Sequence, residues 1–255
     1  MVKITRNALH MISENYSLNN ISKLTGFRKS MLYYHYKKMK GKKYKEIDIN
    51  FKSDTDLGEF LGVFAGDGHF HKSKIGHYTI RITIGYYESN YASYLVNQFT
   101  MWFNKKPKVY YGKYKNHLSM IIIHYDSKKL YNLLKEYLMW EGTKKTYTVR
   151  LKKFNIYNNK FNLGFVKGLI DTDGNYYAPK RSLNFSTTSK LMMLQVFEII
   201  KYNLKVNPKI SIYKKKNRAD LYNIHLYGIN TYNLNRLIKF GNPSKRCKFN
   251  APAEI

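Results

Sequence analysis

Two aspartates, Asp67 and Asp173, stand 106 positions apart in this chain of 255 residues. Each closes an apolar run and precedes a glycine: "FLGVFAGDG" covers 60–68 and "VKGLIDTDG" covers 166–174. Small residues lead up to each acid at four-residue steps, Gly58, Gly62 and Gly66 before the first, Gly164, Gly168 and Thr172 before the second. That spacing lines one face of a helix. Glycine inside a helix costs about 1 kcal/mol relative to alanine, so a repeated stripe implies close approach of another backbone, and the two helices are expected to pack on each other through it. Packed so, they bring two carboxylates together at helix C-termini, where the macrodipole disfavours negative charge and mutual repulsion adds to the cost. A divalent cation offsets both. Hard cations such as Mg2+ take oxygen ligands, and two carboxylates with metal at a phosphate make a hydrolytic phosphodiester site. One Asp-Gly alone is also an ordinary turn signal; two in register behind striped helices ask for more.

The elements that must position these acids also repeat. "KPKVYYGKYKN" (106–116) matches "NPKISIYKKKN" (207–217) at an offset of 101, as do His124 with His225 and "YNL" at 131–133 with 232–234. In each half a helix ends at Asp-Gly and strands follow ("HYTIRITIGYY"; "SLNFSTT"). Then come a helix ("NYASYLVNQFTMWF"; "KLMMLQVFEIIKYNL"), two strands around a basic turn, and a final helix ("SKKLYNLLKEYL"; "NTYNLNRLIKF"). This is an α+β fold of two pseudo-symmetric αββαββα repeats. Leu57, Leu61 and Phe64, with Leu163, Val166 and Ile170, are placed to anchor each striped helix to its own half. Residues 1–50 read as a separate all-α module of three helices, "TRNALHMISENY", "NNISKLTG" and "RKSMLYYHYKKMKGKK". The short helix, glycine turn and basic third helix suit a helix-turn-helix, with Arg28, Lys29, Ser30, Tyr33 and Tyr34 as readers of the major groove; the same three helices also suit a plain cap on the main domain. "KEIDINFKSDTD" (45–56) reads as a linker or short strand. The expected division is 1–50 for the module, 51–150 for the first repeat and 151–255 for the second.

Lys+Arg number 45 against 16 Asp+Glu, a formal net charge of +29 and a pI of about 9.9. Such a balance calls for a polyanion, nucleic acid first, and the 25 tyrosines interleave with lysine in the expected strands. No apolar run reaches 18 residues and no cationic amphipathic helix stands apart, so no membrane partner is expected. The lone Cys247 excludes a disulfide framework and a cysteine zinc site. The N-terminus lacks the apolar region of a signal peptide. The expected setting is intracellular, in cytoplasm, nucleoid or organelle matrix, and not secreted.

These motifs resemble those of the LAGLIDADG homing endonucleases. "VKGLIDTDG" agrees with the namesake nonapeptide at six of nine positions and "FLGVFAGDG" at three, Gly62, Asp67 and Gly68. The resemblance covers roughly residues 55–245 and leaves 1–50 outside. It implies a monomer of two αββαββα halves whose motif helices form the centre and whose antiparallel strands saddle the major groove of double-stranded DNA. It implies that Asp67 and Asp173 bind Mg2+ and each cut one strand across the minor groove, leaving short 3′ extensions. The carbonyls of Gly66 and Thr172 would complete the metal shell, Mn2+ would substitute, and Ca2+ would support binding without cleavage. Lys115 and Lys216, matched at the 101 offset, are candidates for polarising water and phosphate. Asp171, set against Ala65, is expected to be structural, and Lys167 to face outward. DNA reading would fall to His69, His71, Lys72, Lys74, Arg81, Thr83, Tyr111 and Lys113 in one half. In the other it would fall to Asn175, Tyr177, Lys180, Arg181, Asn184, Ser186, Ser211, Tyr213, Lys214 and Lys215. Arg and Lys suit guanine and Asn suits adenine, while tyrosines and many lysines suit phosphates. Two further readings stand beside the nuclease: an RNA maturase assisting splicing of a host intron, and a non-cleaving DNA-binding regulator. Paired carboxylates in a basic groove favour cleavage. Intein chemistry is set aside, since the chain starts at Met1 and ends "APAEI".

Overall fold

The computed structural model describes residues 4–41, 46–73, 76–115, 117–142, 145–214, 216 and 218–246, and only the backbone of residue 155. Lys74 and Lys215 lie outside the described residues. The chain divides into two compact units, Met1–Glu46 and Ile47–Ile255.

The first unit holds α1 (Arg6–Ser13), α2 (Leu18–Thr25) and α3 (Lys29–Lys40). Thr5 and Ser17 cap the first two by accepting from Ala8 and Asn20 N–H, which satisfies orphan donors of the first turn. Gly26 ends α2 in the left-handed region, φ 71°, a conformation glycine takes without steric cost. Ala8, Ile12, Ile21 and Leu32 are fully buried and make this unit's own core.

The second unit opens with an extended stretch, not a free linker. Ile47 is buried in the main core, and Asp48 and Asn50 donate N–H to the carbonyls of Phe103 and Trp102. Then follow α4 (Asp54–Asp67), β1 (Gly68–Lys72), β2 (Tyr78–Gly85), α5 (Ser89–Phe103), β3 (Lys108–Tyr114), β4 (His117–Asp126) and α6 (Lys128–Tyr137). A two-stranded ladder of β5 (Leu138–Met139) and β6 (Arg150–Leu151) flanks the one-turn α7 (Lys145–Thr148). The second half repeats the order: α8 (Asn159–Asp173), β7 (Gly174–Tyr177), β8 (Ser182–Thr187), α9 (Lys190–Glu198), β9 (Lys209–Tyr213), β10 (Leu221–Tyr227) and α10 (Ile229–Leu237). Both four-stranded sheets are antiparallel, in the orders β1-β2-β4-β3 and β7-β8-β10-β9.

The glycine stripe is where the halves meet. A Cβ on Gly58 would fall on the Phe161 carbonyl oxygen, one on Gly62 on that of Phe165, one on Gly164 on that of Thr55 and one on Gly168 on that of Glu59. Backbone therefore touches backbone along α4 and α8, and their larger side chains turn to either side. Phe60, Leu61, Phe64, Phe165, Val166 and Ile170 are almost wholly buried in one continuous core that both halves share.

Candidate active site and nucleic-acid interface

Where α4 and α8 end side by side, their last residues converge. A Cβ on Gly66 would strike Thr172 Oγ1 and stand 3.1 Å from Asp173 Oδ2. Among the described residues neither Asp67 nor Asp173 accepts a side-chain hydrogen bond from protein. Thr172 turns its hydroxyl back to the carbonyls of Gly168 and Leu169, both at 3.0 Å. The surroundings disfavour charge. Burial, then the Asp173 carboxylate, push Asp67 up to about 7 from an ordinary 3.8. Burial pushes Asp173 up to about 6, with Lys145 and Lys245 opposing. Asp173 keeps solvent-exposed surface, so its desolvation is that of a carboxylate walled by protein and open at the top. Mutual repulsion falls on Asp67 because Asp173 ionises first. Two raised carboxylates without protein donors form an acceptor-only pair, which fits an oxygen-liganded cation.

The lysines at this pair are not those expected. Lys115 sits at the tip of the β3–β4 hairpin, φ 47°, with its ammonium over the Tyr114 ring, and Lys216 sits in the β9–β10 turn. Both lie in hairpin turns, and neither lysine figures among the charges acting on the acids. Lys145 and Lys245 do. Lys145 Nζ donates to the carbonyls of Ala65 (2.8 Å) and Gly66 (3.0 Å), two of the orphan acceptors at the end of α4. Burial lowers Lys145 to about 8 against the pull of Asp173 and Asp67. The carbonyl of Gly66, expected on the metal, thus already holds an ammonium. Lys245 pairs with Glu88 at 3.6 Å, and Glu88 also accepts from Asn242 Nδ2 at 2.8 Å.

Asp171 is structural. It is fully buried and accepts from the N–H groups of Gly241 (2.9 Å) and Asn242 (3.0 Å). Lys167 departs from expectation. It does not face outward but forms a buried triad across the helix pair, 2.6 Å from Glu59 Oε2 and 2.7 Å from Tyr94 Oη, while Tyr94 donates to Glu59 Oε1 at 2.7 Å.

Strand register sorts the proposed DNA readers. In the first half, β2 turns Ile80, Ile82 and Ile84 to the core, so Thr79, Arg81 and Thr83 take the open face. Cross-strand pairing puts His69, Arg81, His124 and Lys108 in one row there, and His71, Thr79 and Asp126 in the next. The register shifts between Gly112 and Lys113, where Ser119 is the extra residue of β4 and Lys113 pairs with Leu118; Lys113 is exposed near the end of the hairpin. Tyr111 pairs with the buried Ile121 and faces the helices, lining a cavity of about 480 Å³ with Tyr86 and Val96. Lys72 pairs with Tyr78 and lies over its ring, again on the helix side. In the second half Asn175, Asn184, His225 and Lys209 form the matching row. Ser186, Asn223 and Ser211 form another, and Tyr177 and Tyr213 share the face. Lys180 and Arg181 sit in the turn before β8, and Lys214 follows β9, all exposed. His124, His225, Asn223, Lys108 and Lys209 are additions; the 101 offset had already paired both histidines and both lysines. In the first unit Arg28, Lys29, Ser30, Tyr33 and Tyr34 are exposed along the start of α3.

Residues 160–239 match the family model described as a LAGLIDADG-like domain. Over 147 residues the chain is 29% identical to DNA-directed RNA polymerase subunit Rpo1C of Methanocaldococcus jannaschii, a match covering 57% of this chain but only 16% of that protein. The homing endonuclease I-DmoI in complex with DNA and Ca superposes with a TM-score of 0.55 at 19% identity, over 72% of this chain and 89% of that one. The homing endonuclease I-WcaI bound to its DNA recognition sequence gives 0.53 at 17%, over 86% and 92%. The N-terminal LAGLIDADG domain of WhiA gives 0.50 at 14%, over 74% and 84%.

Proposed function

We propose, for a chain that carries a LAGLIDADG-like domain and the two-repeat fold of the LAGLIDADG homing endonucleases, that it is a site-specific endonuclease of double-stranded DNA. The observation that carries this reading is the pair Asp67 and Asp173. One acid comes from each half, both end helices that meet backbone to backbone, and neither has a protein donor among the described residues. They stand at the inner ends of β1 and β7, so two basic sheets extend away from them.

Asp67 and Asp173, with the carbonyl of Thr172 and, where Lys145 gives it up, that of Gly66, would hold Mg2+ or Mn2+, and Ca2+ in a binding-only state. The cation would supply positive charge at the scissile phosphate and a more acidic water. The chain's own part is to hold two ionised carboxylates at a fixed spacing, one for each strand across the minor groove. Lys145 offsets part of the cost of charge on the acids and is held at the carbonyl end of α4. The open sheet faces grip the major groove, and α3 of the first unit reads a flanking stretch. A regulator would gain nothing from unpaired carboxylates on a phosphate-binding face. An RNA maturase role would use the same basic surfaces and need not keep both acids.

The test joins the sequences flanking the coding element in a supercoiled plasmid and adds protein with Mg2+. Wild type is expected to give linear product, and Asp67→Asn and Asp173→Asn to lose double-strand cutting. Tight binding with no cut in Mg2+ or Mn2+ would sink the nuclease reading and make RNA binding the next assay.

A further inference from the structure

The two open faces share a frame and differ at its centre. In the first half the row is His69, Arg81, His124, Lys108; in the second it is Asn175, Asn184, His225, Lys209. The outer histidine and lysine are the same in both. The inner pair is not. Each row begins two residues beyond an acid, about 7 Å along the strand, so on duplex cut at those acids it would meet one of the innermost base pairs of its half-site.

The chemistry of the inner pairs is opposed. Arg81 is exposed and has no protein partner among the described residues, so its whole fork of donors is open. Behind it Asp126 accepts from Lys108 and His124 at 2.9 Å and from Thr79 at 3.2 Å, which keeps those groups off the Arg81 side. A guanidinium fork matches the two acceptors of guanine, O6 and N7, and meets a donor at adenine N6. In the second half Asn184 Oδ1 lies 2.8 Å from His225 Nδ1, and His225 Nε2 lies 2.7 Å from Ser211 Oγ. An amide oxygen can only accept, so Nδ1 carries the proton and Nε2 accepts from the serine. This relay fixes the amide: Nδ2 and the second lone pair of Oδ1 face outward. That is the donor–acceptor pattern which matches adenine N7 and N6. The position matching Asp126 holds Tyr227, so no carboxylate stands at that position.

We infer that Arg81 selects a guanine, and that Asn184, held by His225 and Ser211, selects an adenine at the pseudo-symmetric position. This rests on the endonuclease reading for the presence of a DNA target, and it adds which residue of each half specifies a base there.

The test is selection of bound duplexes from a randomised pool by the full chain in Ca2+, repeated with Arg81→Asn and Asn184→Arg. Both residues are on open strand faces, and circular dichroism checks that the variants fold. The expected consensus has G·C at one position and A·T at its mirror position. Each substitution should change the preference at its own position alone, by roughly 5- to 150-fold. Like base pairs at the two positions, or substitutions that leave both preferences in place, overturn the inference while the endonuclease reading stands. No enriched duplex at all removes both.

Discussion

Protons compete with any cation for Asp67 and Asp173. Both carboxyls are raised in the metal-free protein, Asp67 to about 7 by burial and then by the charge of Asp173, and Asp173 to about 6 by burial. A raised carboxyl keeps its proton in the folded chain where the unfolded chain, near 3.8, has lost it. Its stabilising contribution is therefore complete below the unfolded value and disappears as pH rises through the folded one. The metal-free protein should be less stable at about pH 8 than at about pH 5, and Mg2+ should restore stability chiefly at the higher pH, because binding displaces protons. Thermal unfolding at both pH values, with and without Mg2+, checks this. Asp67→Asn and Asp173→Asn should flatten both the pH trend and the Mg2+ response. Cleavage should rise across the same window, between about pH 5 and pH 8, as the acids ionise. Equal Mg2+ stabilisation at both pH values would contradict the assignment.

The seam between α4 and α8 decides whether those acids meet at all. Gly168→Ala places a Cβ on the carbonyl of Glu59 and 2.6 Å from Val63 N, and backbone cannot move aside as a side chain can. Helix propensity alone would favour alanine by about 1 kcal/mol; overpacking costs about 1–3 kcal/mol or more, so urea unfolding should show net loss. The same seam carries the buried triad of Glu59, Lys167 and Tyr94. Lys167→Met should cost about 3–5 kcal/mol by stranding the Glu59 carboxylate, while Glu59→Met with Lys167→Met should recover most of it. Much of this element scale was legible. The four-residue glycine period, the 106 and 101 offsets and the strand alternation gave helices, sheets and acids. What escaped depended on register or on irregular chain. Tyr111 and Lys72 looked like readers because aromatic and basic residues abound on these strands, but pairing with Ile121 and Tyr78 sends them to the helix side. Lys145 comes from the connection between halves, where the repeat offers no partner to flag it. Lys167 was misread because the charge that buries it, Glu59, is 108 residues away and only the packed seam joins them.

Across the whole molecule, charge is spread unevenly. Residues 1–46 hold eleven of the 45 Lys+Arg and two of the 16 acids, a formal +9 of the total +29 in under a fifth of the chain. That unit has its own caps and its own core of Ala8, Ile12, Ile21 and Leu32, so it can be removed without opening the second. The cut belongs after Glu46. Deleting through Asn50 would also take Ile47 from the main core and the N–H groups of Asp48 and Asn50 from Phe103 and Trp102. If α3 grips duplex beside the cleavage site, the chain lacking 1–46 should protect a shorter stretch of DNA. The loss should fall on one side only, by about half a turn to one turn of helix. Each phosphate contact surrendered should also reduce the salt dependence of binding, by about 0.9 in the slope of log affinity against log salt. Cutting position should stay the same, because Asp67 and Asp173 and the strands beside them are all in the remaining unit. Footprinting and a salt titration of the full and shortened chains read all three quantities. An unchanged footprint with an unchanged slope would make residues 1–46 a cap with no DNA of its own. A shorter footprint on both sides would mean that the deletion had loosened the sheets themselves.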